Sequence, residues 1–430
     1  MVLLDSRRTF GKVGGTVTNC VAKSWDATTH PAARAFSRAF QQEGNRRAHD
    51  WVCAWDQARQ TRTIAATPYT KVAWMSAMND GIEFGLDTFG DITTGTDGRP
   101  LPHAQVIRNV VEEAVLADTL GLDFFGVGEH HRADFAVSSP ETVLAAIAGR
   151  TDRIHMGSAV TVLSSDDPVR VFQRFSTLNA VSNGRAEVIL GRGSFTESFP
   201  LFGFPLDKYE QLFEEKLDLF VALLRQGPVT WKGNTRSPLT RQEVFPSIET
   251  GSLMTWVGVG GSPQSVVRAA RYRLPMTLAI IGGDPRRFAP YVDLYRERLS
   301  KTGDPNLPLA VHSPGYVADT DARAREELWP SYKAMRDRIG AERGWGPMSR
   351  AEFEQEADAG SLYVGSPETV AKRIAATIIE LGPSRFDMKY SAGALSHERL
   401  MRCIDLYATS VVPRARQLVA AAFAGSAARV

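Results

Sequence analysis

One acidic residue and two adjacent histidines follow an apolar stretch in FFGVGEHHRADF, residues 124–135. Carboxylates and imidazoles exchange protons near neutral pH and also bind metals, so Glu129, His130 and His131 are candidate catalytic or ligand residues. In an extended strand, neighbouring side chains point to opposite faces, so the two histidines cannot both ligate one ion. The sequence also lacks H-x-H and H-E-x-x-H, and we expect no metal site.

The same alternation places His130 in the predicted site. It shares one strand face with Phe124, Gly126 and Gly128, and the two glycines leave room there for a flat ligand. An alternative interpretation is that Glu129 and His130 only cap the strand end by hydrogen bonding to neighbouring loops. Residue types alone do not separate these two interpretations.

A second candidate site is the glycine-rich approach to a helix start in WVGVGGSPQS, residues 256–265. A helix N-terminus with free N–H groups and a capping hydroxyl binds phosphate through hydrogen bonds and the helix dipole. Ser262 fits this role. The similar starts at Ser139 and Ser366 carry a glutamate in the first turn, which would repel a phosphate, and are interpreted as ordinary helix caps.

Other charged residues have plainer interpretations. A lone arginine at a strand end, such as Arg192, is more often part of a surface ion pair. The acidic side chains of one helix are predicted to form a solvated face; they are Glu210, Glu214 and Glu215. Most of the remaining histidines are interpreted as structural, although His312 lies at a predicted strand end from which it could reach a substrate.

The elements that must position these residues alternate regularly from residue 83 onward. The eight predicted strands cover residues 83–89, 124–130, 154–162, 185–193, 255–260, 275–281, 309–317 and 385–391. Each strand is followed by a helical pattern, which favours a single (β/α)8 TIM barrel with insertions over an open doubly wound sheet.

Helix starts and insertions complete the predicted barrel. Five helices begin with Ser or Asp followed by Pro; the capping residues are Ser139, Asp167, Ser262, Asp284 and Ser366. Insertions are predicted at residues 227–253 and 329–364. If both follow helices, they start on the rim opposite the active-site face, and the second one could form a lid or a dimer contact.

Composition bounds the class of protein. The chain has 430 residues, 43% hydrophobic content, a formal net charge of +2 and three cysteines. It can bury a large core, and it shows no charge bias toward nucleic acid or membrane and no disulfide framework, so we expect a cytoplasmic protein. No apolar run approaches the ~18–20 residues that cross a bilayer.

The chain divides into three predicted parts. Residues 1–78 are Arg-rich and acid-poor without sustained apolar periodicity, and we interpret them as a disordered extension or a mis-assigned start, with Met75 and Met78 as alternative initiators. The barrel domain is predicted over residues 79–420. Residues 421–430 form a C-terminal tail.

Several ordered motifs carry a family resemblance. VGEHHRADFAVSSP, GSAVTVLSSDDPVRVFQRFSTLNAVSNGRAEVILGRGSFTESFPLFG and WVGVGGSPQSVVRAARYRLPM together resemble the bacterial luciferase-like flavin-dependent monooxygenases. The resemblance covers most of residues 80–410. It implies a (β/α)8 barrel that binds reduced FMN, or in some branches coenzyme F420. It also implies O2 as co-substrate and a separate reductase that supplies the flavin.

The resemblance also assigns roles residue by residue. His130, with Glu129 beside it, matches the histidine next to the flavin ring, and Ala159-Val160 matches a cis peptide under the ring in some members. Arg192 matches a phosphate-binding arginine. The motif GGSPQS supplies Gly261, Ser262 and Ser265 as further phosphate-site residues.

Two departures from the family pattern concern specificity. Gly191 replaces the reactive cysteine of the luciferase large subunit, and Gly261 replaces an acidic residue before the phosphate serine. The resemblance therefore carries flavin binding over to this chain but not long-chain aldehyde specificity or light emission.

The resulting expectation is an FMN-dependent monooxygenase of a small organic substrate, most often homodimeric in this family. Three alternatives stay open on the sequence: an F420-dependent hydride-transferring oxidoreductase, a non-catalytic flavin-binding protein and a metal hydrolase on the same barrel. The short phosphate motif at Ser262 favours FMN over the longer F420 tail. Ligand spacing disfavours the hydrolase.

Overall fold

The computed structural model describes residues 81–249, 251–302 and 307–427, so the predicted extension over residues 1–78 lies outside the described part. The strands are β1 Glu83–Thr88, β2 Phe124–Val127, β3 His155–Val162, β4 Ala186–Gly191, β5 Val229–Trp231, β6 Leu239–Gln242, β7 Met254–Val259, β8 Met276–Ala279, β9 Leu309–Val317, β10 Tyr363–Gly365 and β11 Arg385–Lys389. Eight of them pair in parallel in the closed order β1, β2, β3, β4, β7, β8, β9, β11 and back to β1. The predicted TIM barrel and its eight strands are confirmed.

Most of the helices cover the outside of the barrel, whereas α8 (Asp321–Arg343) contacts loops at its carboxyl-terminal mouth. The helices are α1 His103–Thr119, α2 Pro140–Ala148, α3 Pro168–Val181, α4 Ser198–Phe202, α5 Tyr209–Leu223, α6 Pro263–Tyr272, α7 Ala289–Ser300, α8 Asp321–Arg343, α9 Arg350–Ala359, α10 Pro367–Leu381, α11 His397–Leu406 and α12 Val412–Ala427. The five predicted capping residues all precede a helical turn with proline at its first position, where the missing N–H costs nothing.

Two apolar clusters hold the barrel together. The larger one lies between the outer faces of the strands and the helices, and includes Phe84 and Leu86 of β1. The smaller one fills the barrel interior, where Phe124, Ile189 and Trp256 meet. Side chains of both faces of each strand are therefore buried, as a parallel barrel requires.

The first insertion follows α5 and forms the β5–β6 hairpin, as predicted for the rim at the amino-terminal ends of the strands. It reaches the other rim, since Arg236 Nε lies 3.2 Å from Oδ2 of Asp167, the N-cap of α3. The second insertion would start on the amino-terminal rim only if it followed a barrel helix, and it does not. Helix α8 follows β9 directly, so α8, α9 and β10 are inserted on the carboxyl-terminal side, before the barrel helix α10.

The last helix, α12, continues to Ala427, beyond residue 420, where the sequence predicts the barrel domain to end. Within the described ranges, none of the helices is both long and apolar enough to span a bilayer.

Candidate active site

Inward-facing residues are partly exposed near the carboxyl ends of several strands. Ala159, Val160, Gly258, Ala279 and His312 are partly exposed, whereas most strand residues before them are buried. They belong to β3, β7, β8 and β9, so the exposed positions ring one opening. This hollow at the carboxyl-terminal mouth is where barrels of parallel strands carry their active sites.

His130 lies at this mouth within an aromatic cluster. Its ring centroid is 4.4 Å from that of Phe89, 4.5 Å from that of Phe135 and 5.3 Å from that of Phe195. Its backbone N–H donates to Val137 O at 3.0 Å. Burial lowers the pKa of His130 to about 3, so the imidazole is neutral at physiological pH.

Glu129 faces a different set of partners. Its Oε2 accepts a hydrogen bond from the backbone N–H of Val162 at 2.8 Å, and its Oε1 lies 2.9 Å from His131 Nε2. The side chain is only 8% exposed. These contacts tie the loop after β2 to the end of β3, so the capping interpretation describes Glu129 well, whereas the ring of His130 has aromatic neighbours.

The peptide bond between Ala159 and Val160 is cis. The side chain of Val160 packs over two glycines of the neighbouring strands: a Cβ added at Gly191 would lie 2.4 Å from Val160 Cγ2, and one at Gly258 3.2 Å from Val160 Cγ1. The space that a cysteine side chain at residue 191 would need is therefore filled by the side chain of Val160.

The predicted phosphate-site residues meet on the same rim. Leu190 pairs with Val257 in the ladder between β4 and β7, so Arg192 and the segment leading to Ser262 leave the sheet side by side. Ser262 caps α6: its Oγ accepts the Ser265 N–H at 3.3 Å and lies 2.8 Å from Ser265 Oγ. Gly261 has a φ of +99°, which an L side chain rarely adopts.

At the two comparable helix starts, neither Ser139 nor Ser366 makes a side-chain cap hydrogen bond, so the prediction that these serines are ordinary caps is wrong. At α10, the Asp321 carboxylate already takes the position of an anion, since Oδ1 accepts from Ser366 N at 2.6 Å and Oδ2 from Thr369 Oγ1 at 3.0 Å. At α2, Ser139 makes no side-chain cap and Glu141 lies in the first turn. Neither end is suited to a phosphate.

The carboxylate of Glu210 bridges two arginines. It forms an ion pair with Arg192, and its Oε2 accepts from Arg268 Nη2 at 3.0 Å. The solvated face predicted for three glutamates of α5 holds for Glu210, whose side chain is 61% exposed although it forms ion pairs. Glu214 and Glu215 are only partly exposed: Glu214 pairs with Arg268 at 2.5 Å, and Glu215 accepts from Asn234 N at 2.7 Å. Their partners are distant in sequence. Arg192 makes the ion pair that its residue type predicts.

Some residues at the mouth were not predicted. Asp87 Oδ2 lies 2.7 Å from His312 Nδ1, and Lys389 Nζ lies 3.0 Å from Asp91 Oδ2 and 4.5 Å from the ring centroid of Phe89. Asp87 and Lys389 lie opposite each other in the ladder between β1 and β11. These residues could have been found from the sequence, because a charged residue inside an apolar strand pattern is buried and a buried charge requires a partner.

Helix α8 crosses the mouth. It leaves β9, and its last turns contact loops that follow β2 and β4, two strands on the far side of the ring. Arg132 donates to Glu342 Oε2 at 2.9 Å, Arg338 Nε lies 2.9 Å from Asp134 Oδ2, and Arg343 donates to Ser194 O at 3.2 Å. These contacts hold α8 over the aromatic cluster.

A sequence model of the luciferase-like monooxygenases matches residues 83–385, most of the chain. The chain belongs to this family. Among its relatives is the alkanal monooxygenase alpha chain of the Kryptophanaron alfredi symbiont, 25% identical over 54% of this chain and 65% of that protein. Across three curated relatives, the match spans 37%, 65% and 40% of the relative's own length. Of these three, the alkanal monooxygenase alpha chain is an oxidoreductase, and the other two are uncharacterized proteins of Sinorhizobium fredii.

Solved structures share the barrel. The oxygenating constituent of 3,6-diketocamphane monooxygenase from Pseudomonas putida, solved with FMN, superposes with a TM-score of 0.61 at 18% identity, covering 77% of this chain and 98% of that one. An F420-dependent secondary alcohol dehydrogenase, solved with an F420–acetone adduct, gives 0.62 at 16% identity over 78% and 99%. At these identities the likeness shows the fold.

Proposed function

We propose that this protein is a flavin-dependent monooxygenase that uses reduced FMN and O2 to oxidise a small organic substrate. The observation that carries the proposal is the arrangement of two sites on one rim: the hollow beside His130, and the helix start at Ser262 with Arg192 next to it. The hollow suits a flat ring, and the helix start suits an anion.

The phosphate end is the more specific of the two. A phosphate at the start of α6 would meet the helix dipole, the hydroxyls of Ser262 and Ser265, and the flexible approach at Gly261. Arg192 would supply positive charge from β4. Arg192 already pairs with Glu210, so a phosphate that binds Arg192 would replace the Glu210 carboxylate as its anionic partner.

The ring end is formed by the hollow. Ala159 and Val160 line its wall, and His130 stands beside it. A bound reduced flavin would supply two electrons to O2, so that one oxygen atom enters the substrate and the other leaves as water. The aromatic cluster and α8 exclude water from this space, which protects reactive species.

His130 acts in this scheme as a neutral imidazole. With its pKa lowered to about 3 by burial, it accepts a proton or a hydrogen bond at neutral pH rather than donating from an imidazolium. Glu129 positions it from the neighbouring residue by fixing the loop to β3. We therefore propose that His130 is catalytic and that Glu129 is a positioning residue.

FMN is favoured over F420 by the single compact anion site at Ser262, although an F420-dependent hydride transfer remains the second candidate because an F420-dependent enzyme shares the fold. We further propose a separate flavin reductase, a cytoplasmic location and a homodimer. Exposed apolar side chains at Leu201, Phe202 and Leu206 support an interface.

The test is an anaerobic titration of the full chain with reduced FMN and, separately, reduced F420, followed by mixing with oxygenated buffer. Tight binding of FMN with reoxidation kinetics distinct from those of free flavin supports the monooxygenase. Preference for F420 without oxygen consumption would support hydride transfer instead. Reoxidation identical to that of free flavin would leave only a binding role.

A further inference from the structure

Asp87 and His312 form a buried acid–imidazole pair that the proposed flavin site does not use. Asp87 lies on β1 and His312 on β9, and Oδ2 and Nδ1 are 2.7 Å apart. The carboxylate side chain is 1% exposed and the imidazole 12%. The imidazole is therefore the member of the pair that can reach a ligand.

The pair shares a wall with His130. The ring of Phe89 lies between the two imidazoles, stacked on His312 at 6.3 Å with an interplanar angle of 11° and 4.4 Å from His130. Ala279 lies opposite His312 in the β8–β9 ladder and is partly exposed to the hollow. With Nδ1 held by Asp87, Nε2 of His312 has no hydrogen-bond partner among the described residues.

The charges around His312 favour its protonated form. Burial by itself lowers the pKa of His312, but the charge and hydrogen bond of Asp87 and the charge of Asp387 outweigh burial and the opposing charge of Lys389. The net pKa is raised above the ordinary value, in contrast to that of His130. His312 therefore holds a proton more readily than His130 does.

The polar atoms around His312 are of the kind that bind and transfer protons. Oδ1 of Asp87 and Oδ1 of Asp387 are buried without a hydrogen-bond partner among the described residues. Asp387 lies opposite His312 in the β9–β11 ladder, and burial raises its pKa to about 7. Buried polar atoms without partners are rare in folded proteins and mark sites that bind water or act chemically.

We propose that Asp87 and His312 are a second acid–base pair of this site, in which Asp87 positions the imidazole and Nε2 exchanges a proton with the ligand in the mouth. The inference rests on the proposed flavin-binding function. When the ligand takes the proton, the Nε2–H bond breaks and a neutral imidazole remains, with Nδ1–H still donated to Asp87. A proton from water restores the imidazolium.

The chain contains a matched control for this pair. His155 Nδ1 lies 3.1 Å from Glu187 Oε1, and the pKa of His155 is also raised, chiefly by that hydrogen bond. His155 begins β3, at the end of the barrel opposite the mouth, and its side chain is 52% exposed. It has the same chemistry as His312 without access to the proposed ligand.

The experiment measures carbethoxylation of each histidine of the full chain by diethyl pyrocarbonate, which attacks neutral imidazole, with peptide mass mapping across pH. FMN is the probe ligand, and its binding is followed separately by fluorescence. We expect FMN to slow modification of His312 several-fold and to leave His155 unchanged. We expect Asp87→Asn to shift the His312 midpoint to lower pH, with the His155 midpoint unmoved.

Each outcome decides a different point. Bound FMN that leaves His312 unprotected, or a His312 midpoint indifferent to Asp87→Asn, would overturn the acid–base pair while the flavin function stands. Absence of FMN binding would refute the proposed function itself. If Asp87→Asn does not fold, the protection measurement on the unaltered protein still decides.

Discussion

The side chain of Val160 fills the space that a side chain at Gly191 would need, since an added Cβ would lie 2.4 Å from Val160 Cγ2. Placing cysteine at residue 191, as in the luciferase large subunit, therefore requires Val160 to move. We expect Gly191→Cys to lower the free energy of unfolding by about 1–3 kcal/mol through overpacking. Urea denaturation measures this change.

Val160→Ala provides the control for that substitution. The double variant Gly191→Cys/Val160→Ala should recover most of the stability lost by Gly191→Cys, because the two residues compete for one space. If the losses of stability in the two single variants simply add in the double variant, the contact between residues 160 and 191 is not the cause of the loss in Gly191→Cys.

His130→Ala should impair catalysis more than flavin binding. The imidazole lies beside the proposed ring position, in the loop after β2, whereas the proposed phosphate site at Ser262 follows β7 and holds the cofactor's charge. We expect kcat for any oxidised substrate to fall on the order of 10²–10⁴-fold, the usual contribution of a general acid–base group. The FMN dissociation constant, measured by fluorescence, should change little, and a reversed pattern would refute the assignment.

The stability of the protein should depend on pH through His130. Its pKa is lowered to about 3 in the folded protein and is about 6.5 in an unfolded chain. Its contribution to stability is therefore fully present above pH 6.5 and is lost progressively as the pH falls toward 3. Wild-type protein should lose more unfolding free energy than His130→Gln between pH 7 and pH 4, as measured by urea denaturation. Equal losses of unfolding free energy in the wild type and in His130→Gln would contradict the assigned role of His130 in the pH dependence.

Opposite effects on FMN affinity are expected at the two ends of one ion pair. Arg192→Ala removes a charge-assisted contact to phosphate and should weaken binding by about 1.5–3 kcal/mol, on the order of tenfold to a hundredfold. Glu210→Gln releases Arg192 and should strengthen binding by a few-fold, since the carboxylate is 61% exposed and screened. Equilibrium titration with FMN measures both, and equal losses would place the phosphate elsewhere.

Glu129 should matter first for stability. Glu129→Ala leaves the buried N–H of Val162 without its partner, which costs about 1–3 kcal/mol of unfolding free energy. Glu129→Gln keeps an oxygen that can accept from Val162 and serves as the matched control. Thermal or chemical unfolding measures the stability of both variants. Comparable losses of stability would show that the charge of Glu129, rather than its hydrogen bond, is required.

The barrel could be predicted because its signals are local. Alternating strands and helices, and proline after Ser or Asp as at Ser139 and Asp167, depend on residues adjacent in sequence. Strand alternation likewise placed Phe124 and Gly126 on the face toward the barrel axis. The room for a flat ligand that was predicted at Gly126 and Gly128 is instead filled by side chains of the protein, because a Cβ at Gly126 would lie 2.9 Å from the Cβ atoms of Ala159 and Asp87, and one at Gly128 would lie 2.5 Å from Phe89 Cδ1.

The partners of charged residues could not be predicted in the same way. Asp87 meets His312 across 225 positions of the sequence, and Arg132 meets Glu342 across 210. Such pairs follow from the closure of the barrel and the path of α8, which no local pattern encodes. For the same reason the sequence places Glu210 in solvent, where it is 61% exposed, but does not show that it joins Arg192 and Arg268.

In the insertion that carries α8, Trp329 and Tyr332 pack on Phe353 of α9, and this packing is continuous with the larger apolar cluster of the barrel. At the mouth, by contrast, the insertion meets the loops of the far strands through polar contacts such as those of Arg338 and Arg343. Charged contacts at a rim can be exchanged at little cost to stability, whereas core packing cannot. Substrate preference in this protein should therefore be open to engineering by substitutions in the last turns of α8, with the apolar anchor of the insertion, the strands and the anion site left intact.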